Sequence, residues 1–190
     1  MLPSLLLSCG CSSAPSSRLG ITASRLGRFG KYFWQTVYVK SKAFDTNKIT
    51  DLAFAATEMN EKHLPLFRVA VKSNHPVERY WGVNGLLQLA GKSTEVKPDD
   101  FTPLLKDAEP IIRTTAADAL FKLDQKDIAT QALVADVAKE MNSTSLLNLL
   151  NTIRRLDLLD QLPKNWAEGK SMKNTDFDYI KRFSEQATGE

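Results

Sequence analysis

Two stretches decide how this chain folds: HPVERYWGVNGLLQL at 75–89 and EPIIRTTAADALFKL at 109–123. They align residue for residue at an offset of 34. A fixed period of this size marks a stacked helical array, in which each unit hides its apolar face only against its neighbours. Pro76 and Pro110 suit a first helical position, where the missing N–H costs nothing and φ is already set. Val77/Ile111, Gly82/Ala116, Gly85/Ala119, Leu86/Leu120 and Leu89/Leu123 then recur at helical spacing on one side. The small residues let a neighbouring helix come close, and each leucine contributes about 1.5–3 kcal/mol when fully buried. Arg79 and Arg113 flank this stripe and are expected to bond between units with a packed aliphatic stem.

The pattern extends in both directions. LLNTIRRL at 149–156 matches AADALFKL at 116–123 with an offset of 33, the one-residue change a loop deletion produces. The residues upstream of it, Asn142 to Ser145, lack the Pro and the Arg, so this unit reads as a degenerate one. Partner helices are expected over 62–73, 100–107 and 127–141, with Pro65 and Pro103 in their first turns, and a further helix over 46–59. A capping helix is expected over 176–187, after a polar connection at 163–175. No stretch after residue 44 alternates with period two. The reading is therefore all-α: a short superhelix of stacked helix pairs closed by a C-terminal cap.

Residues 1–44 are different material. They hold six basic residues and no acid, whereas 45–190 hold 19 Lys/Arg against 22 Asp/Glu. The whole-chain charge of +3 thus comes from the leader, and the folded part lacks the basic surface of a nucleic-acid binder. Residues 1–44 are expected to be a disordered or leader-like segment, and 45–190 the repeat domain. MLPSLLLS at 1–8 resembles a short signal core, LLSC at 6–9 a lipoprotein cleavage box, and the acid-free Arg/Ser stretch a transit peptide. YFWQTVYV at 32–39 has strand composition. Cys9 and Cys11, one residue apart, match neither a disulfide nor a zinc framework. No segment has the ~18–20 apolar residues of a membrane span.

Catalytic signals are missing from the sequence. His63 and His75, with Glu61 and Glu78 nearby, are better explained as a helix-start residue and a turn residue before Pro76 than as metal ligands. Asp99 and Asp100 read as a charge pair favoured by a helix N-terminus. Arg154 and Arg155 read as a solvated face, and Tyr80 and Trp81 as core or inter-unit residues. Trp166, in the polar connection, is expected to be exposed. There is no Gly-rich phosphate loop and no nucleophile elbow. No catalytic, cofactor-binding or metal-binding residue is assigned, and no cofactor or small-molecule ligand is expected.

The two quoted stretches resemble the opening helix of HEAT-like repeats. The Trp and Leu-Gly signature of tetratricopeptide repeats and the Thr-Pro-Leu-His of ankyrin are not recovered. The order LAFAAT at 52–57, LPLF at 64–67, PVERYWG at 76–82, LLNTI at 149–153 and YIKR at 179–182 is similar to the HEAT-like tail of bacterial sulfatases of the N-sulfoglucosamine sulfohydrolase-like group. That resemblance implies a non-catalytic accessory scaffold that contacts a protein partner or an adjacent catalytic domain. It also implies a periplasmic or extracytoplasmic setting. The alternative it implies is a fragment of a sulfuric-ester hydrolase without its catalytic domain. A sulfatase nucleophile needs Cys-x-Pro-Ser-Arg; here Pro15 and Arg18 stand four and seven residues from Cys11, so the site is not formed. A tetrapyrrole-handling HEAT protein is a weaker third option, since no Cys or His/Asp set accompanies the repeats.

Overall fold

A computed structural model describes residues 45–167. The helices discussed here belong to the second of two units into which the chain divides, Thr46–Glu190. The expectations for 1–44 and for the capping helix at 176–187 lie outside the described residues. The described chain is all-α: α1 (Thr46–Glu58), α2 (Leu64–Ala70), α3 (Pro76–Leu89), α4 (Pro110–Lys122), α5 (Lys126–Val137) and α6 (Ser143–Arg155), with short 3-10 turns between them and no strand.

Four of these helices lie side by side, α1 on α3, α3 on α4 and α4 on α6. A second layer covers them: α2 packs on α3, a 3-10 segment (Thr102–Lys106) on α4, and α5 on both α4 and α6. The seam holds the apolar stripe read from the sequence, with Val83, Leu86, Ile112, Ala116, Ala119, Leu120, Leu149, Leu150 and Ile153 fully sealed from solvent. Pro76 and Pro110 each take the first helical position, after His75 and Glu109 in extended conformation. At the corresponding place before α6 the side chain of Asn142 accepts from the Ser145 N–H at 2.8 Å. A side-chain cap there replaces the proline start.

Every helix of the first layer ends the same way. Met59, Gly91, Asp124 and Asp157 have φ of 50°, 77°, 61° and 58°. They follow α1, α3, α4 and α6 at intervals of 32, 33 and 33 residues. A left-handed residue just past the helix lets the chain double back. The conformation is free for Gly91 and costs the other three roughly 1–2 kcal/mol each.

Three expectations change. The partner segment at 100–107 is not an α-helix but two 3-10 turns, Pro98–Asp100 and Thr102–Lys106. Two prolines in six residues leave too few N–H groups for a full α-helical ladder. The Val77/Ile111 match also breaks. Val77 is buried, but in α4 the core position passes to Ile112, while Ile111 is only partly buried. Trp166 is 6% exposed, packed with Leu162 against α6-side residues, so the expected contact residue belongs to the core. A large aromatic surface outweighs the polarity of its neighbours in sequence.

Candidate functional site

Two guanidinium groups join successive segments of the stack. Arg79 donates to both oxygens of Asp107, at 2.7 and 3.0 Å, and to the carbonyls of Ser73 and Asn74, at 3.1 and 3.2 Å. Thirty-four residues on, Arg113 donates to Asp136 at 2.6 Å and to the carbonyls of Asp107 and Ala108 at 2.8 and 3.1 Å. Each arginine ties off the turn before its own helix and clamps an aspartate of the following outer segment. A planar fork of five donors suits this double task. Arg68 makes a similar clamp that the sequence did not suggest. It donates to both oxygens of Asp100, at 2.9 and 3.0 Å, and to the Glu95 carbonyl at 2.6 Å. Asp100 therefore serves an ion pair as well as the helical N-terminus expected for it, where it accepts from the Lys97 N–H at 3.0 Å.

Burial pushes the carboxyls of Asp100 and Asp107 up, but the guanidinium and a backbone N–H on each outweigh it and hold both below the ordinary 3.8. A carboxyl lowered in the folded state stabilises fully above its unfolded pKa and loses that contribution as pH falls through the lower folded value. Urea midpoints measured downward from pH 5 are therefore expected to fall below pH 4. Asp107→Asn should be clearly weaker than wild type at pH 7, and the gap should close as the medium becomes acidic.

The histidines hold no metal geometry. His63 precedes α2 and bonds to Glu58 at 2.7 Å, and His75 precedes Pro76. The bond from His63, with Lys62 alongside, lowers the Glu58 carboxyl to about 2. Among the described residues no group of three or more His, Cys, Asp or Glu side chains could hold a metal ion. No described helix is long and apolar enough to cross a membrane.

Among the described residues, a groove of about 300 Å³ runs across α3, α4 and α6. Tyr80 and Asn84 line it from α3, Asp118 from α4, and Asn148, Asn151 and Arg155 from α6. Asp118 is 7% exposed, and its Oδ2 receives Arg155 at 2.7 Å. Its other oxygen, Oδ1, is buried without a hydrogen-bond partner. An unmet buried polar atom costs about 1–3 kcal/mol, and Trp81 Nε1 is a second such atom among the described residues, outside the groove lining. Part of the wall beside Asp118 is satisfied internally. Thr114, Thr115 and Thr152 donate to carbonyls one turn back, and Asn84 donates to the Tyr80 carbonyl at 2.8 Å. Burial pushes the Tyr80 hydroxyl above its ordinary 10.0, against a bond with Asn84.

Sequence reading placed Arg155 on a solvated face and gave Asp118 no role. The signal was present in the repeat alignment. Asn84, Asp118 and Asn151 are the same position in three successive units, at offsets of 34 and 33, and all three line the groove. Comparison with protein families, curated proteins and solved structures gives no match for this chain.

Proposed function

We propose that this chain is a non-catalytic, HEAT-like helical-repeat protein that docks a protein partner or an adjacent domain in the α3–α4–α6 groove. The observation that carries this reading is the buried Asp118 oxygen left without a donor in a groove of mixed polarity that three equivalent helix positions help to line. Stacked helices present long continuous surfaces, and their side chains at one register line up along the stack. The groove offers polar groups in fixed places, as a recognition surface requires.

A photo-crosslinking residue placed at exposed Asn151 tests the proposal, with the same residue at exposed Val69 on α2 as the control. A discrete adduct from the groove position, absent from the control and lost when Asp118 is replaced by Ala, is the expected result. A chain that stays monomeric and yields identical adducts from both positions sinks it.

The sulfatase resemblance suggests the identity of the adjacent domain: a sulfatase catalytic domain for which this chain is the accessory tail. On that reading the isolated chain turns over no aryl sulfate with calcium present. Turnover abolished by changing Cys11 would reverse it.

A further inference from the structure

Of the nine asparagines in the chain, only Asn142 has a serine or threonine two residues on, in Asn142-Ser143-Thr144, with no proline between. Asn-x-Ser/Thr is the acceptor pattern of N-linked glycosylation, which needs a side-chain amide on reachable backbone and a hydroxyl two residues later. The pattern is short, so its surroundings decide what it can do. Asn142 is exposed, in extended conformation (φ −69°, ψ 158°), at the end of the irregular connection between α5 and α6. Ala138, Lys139 and Glu140 before it are exposed, and so is Thr144 after it. A transferase can approach such a stretch from solvent. Asn148, by contrast, lies within α6, where the helical ladder holds the backbone on both sides.

The helix cap decides which end of the carboxamide is presented. Oδ1 accepts from the Ser145 N–H at 2.8 Å and is turned in to the first turn of α6. Nδ2, on the other branch of the planar amide, is turned away from that turn and makes no hydrogen bond among the described residues. Nδ2 is the atom that receives the sugar. It attacks C1 of the first sugar of a lipid-pyrophosphate-linked oligosaccharide. The N–C1 bond forms, the C1–O bond breaks with its electron pair going to the lipid pyrophosphate, and the nitrogen gives one proton to a base of the transferase. The product is still an amide with an intact carbonyl oxygen, so the cap of α6 survives. Glycan and cap use opposite ends of one side chain.

We infer that Asn142 is a glycosylation site and carries an N-linked oligosaccharide on Nδ2. The route to such a transferase is an extracytoplasmic one, and MLPSLLLS at 1–8 is the stretch of this sequence that resembles a signal core. The inference does not rest on the groove.

The test takes the full chain from the cells that make it. Trypsin cuts after Lys139 and Arg154 and releases residues 140–154. Mass spectrometry should find this peptide with excess mass in sugar-sized steps, and peptide-N-glycosidase should remove the excess and leave Asp at position 142. Asp is also a good N-cap, so the treated protein should keep its melting temperature. Thr144→Ala, an exposed change that leaves the Asn142–Ser145 bond in place, should abolish the excess mass, and Thr144→Ser should retain it. A bare 140–154 peptide from those cells overturns the inference. So does excess mass that resists the glycosidase, survives Thr144→Ala, or maps to Asn148 or Asn151. The groove crosslink is read at other residues, so either proposal can fail while the other stands.

Discussion

Gly85→Ala is expected to destabilise the protein by about 1–2 kcal/mol, lowering the melting temperature by roughly 4 °C per kcal/mol. A methyl group built at Gly85 lies 2.6 Å from Cζ of the Phe67 ring and closer still to Cε1. Phe67 is wholly buried between α2 and α3, so the ring has no solvent to turn into. Overpacking of a tight core costs typically about 1–3 kcal/mol and sometimes more. Alanine recovers about 1 kcal/mol of helix propensity, which is why the net effect is smaller than the clash. Gly82 shows a harder version of the same contact, since its methyl would meet the Val71 backbone N at 2.8 Å, and backbone does not yield. The Phe67→Leu variant separates the causes. It makes room, so the double variant should lose less than the two single losses added, by about 0.5–3 kcal/mol. Strict additivity in a thermal-melt cycle would show that the glycine matters for some other reason.

That contact also shows how far the sequence could be read. The first layer was legible chiefly because α3 and α4 repeat a proline start, a small-residue stripe and two leucines at one spacing, with a looser copy in α6. The role of Arg79 and Arg113 followed from their place beside that stripe. The second layer was harder. Phe67 and Phe101 stand 34 residues apart and both are fully buried, as are Ala70 and Leu104, yet one pair member lies on an α-helix and the other in 3-10 turns. Similar burial with different backbone leaves no common motif. The groove was harder still. Arg155 and Asp118 meet across two helices, and no local pattern announces a pairing 37 residues apart. Trp166 failed for a related reason. Its polar neighbours argued for exposure, but the apolar cluster under α6 had room for an indole.

Arg113→Met is the second large effect, an expected loss of about 3–5 kcal/mol. The Arg113 and Asp136 side chains are 11% and 6% exposed, so removing the guanidinium leaves a carboxylate in a nearly dry place. Lys139 remains on its other oxygen, but that lysine is half exposed and offers a compact ammonium where a fork stood. The carbonyls of Asp107 and Ala108 lose their donor as well. Two measurements separate a stranded charge from lost packing. Asp136→Leu added to Arg113→Met removes the stranded charge, and the double variant should recover most of the loss, because a buried ion pair and an apolar pair of similar volume differ little in net stability. Lys126→Ala, which breaks a 3.7 Å contact to an 88% exposed Asp124 side chain and a 5.8 Å approach to the Phe121 ring, should change stability by no more than about 1 kcal/mol. If urea denaturation shows Arg113→Met as mild as Lys126→Ala, the arginine clamps are ornaments on a stack held by its apolar seam alone. If the double variant is no better than the single, it is the bonds to the Asp107 and Ala108 carbonyls, and not the aspartate, that fix one unit against the next.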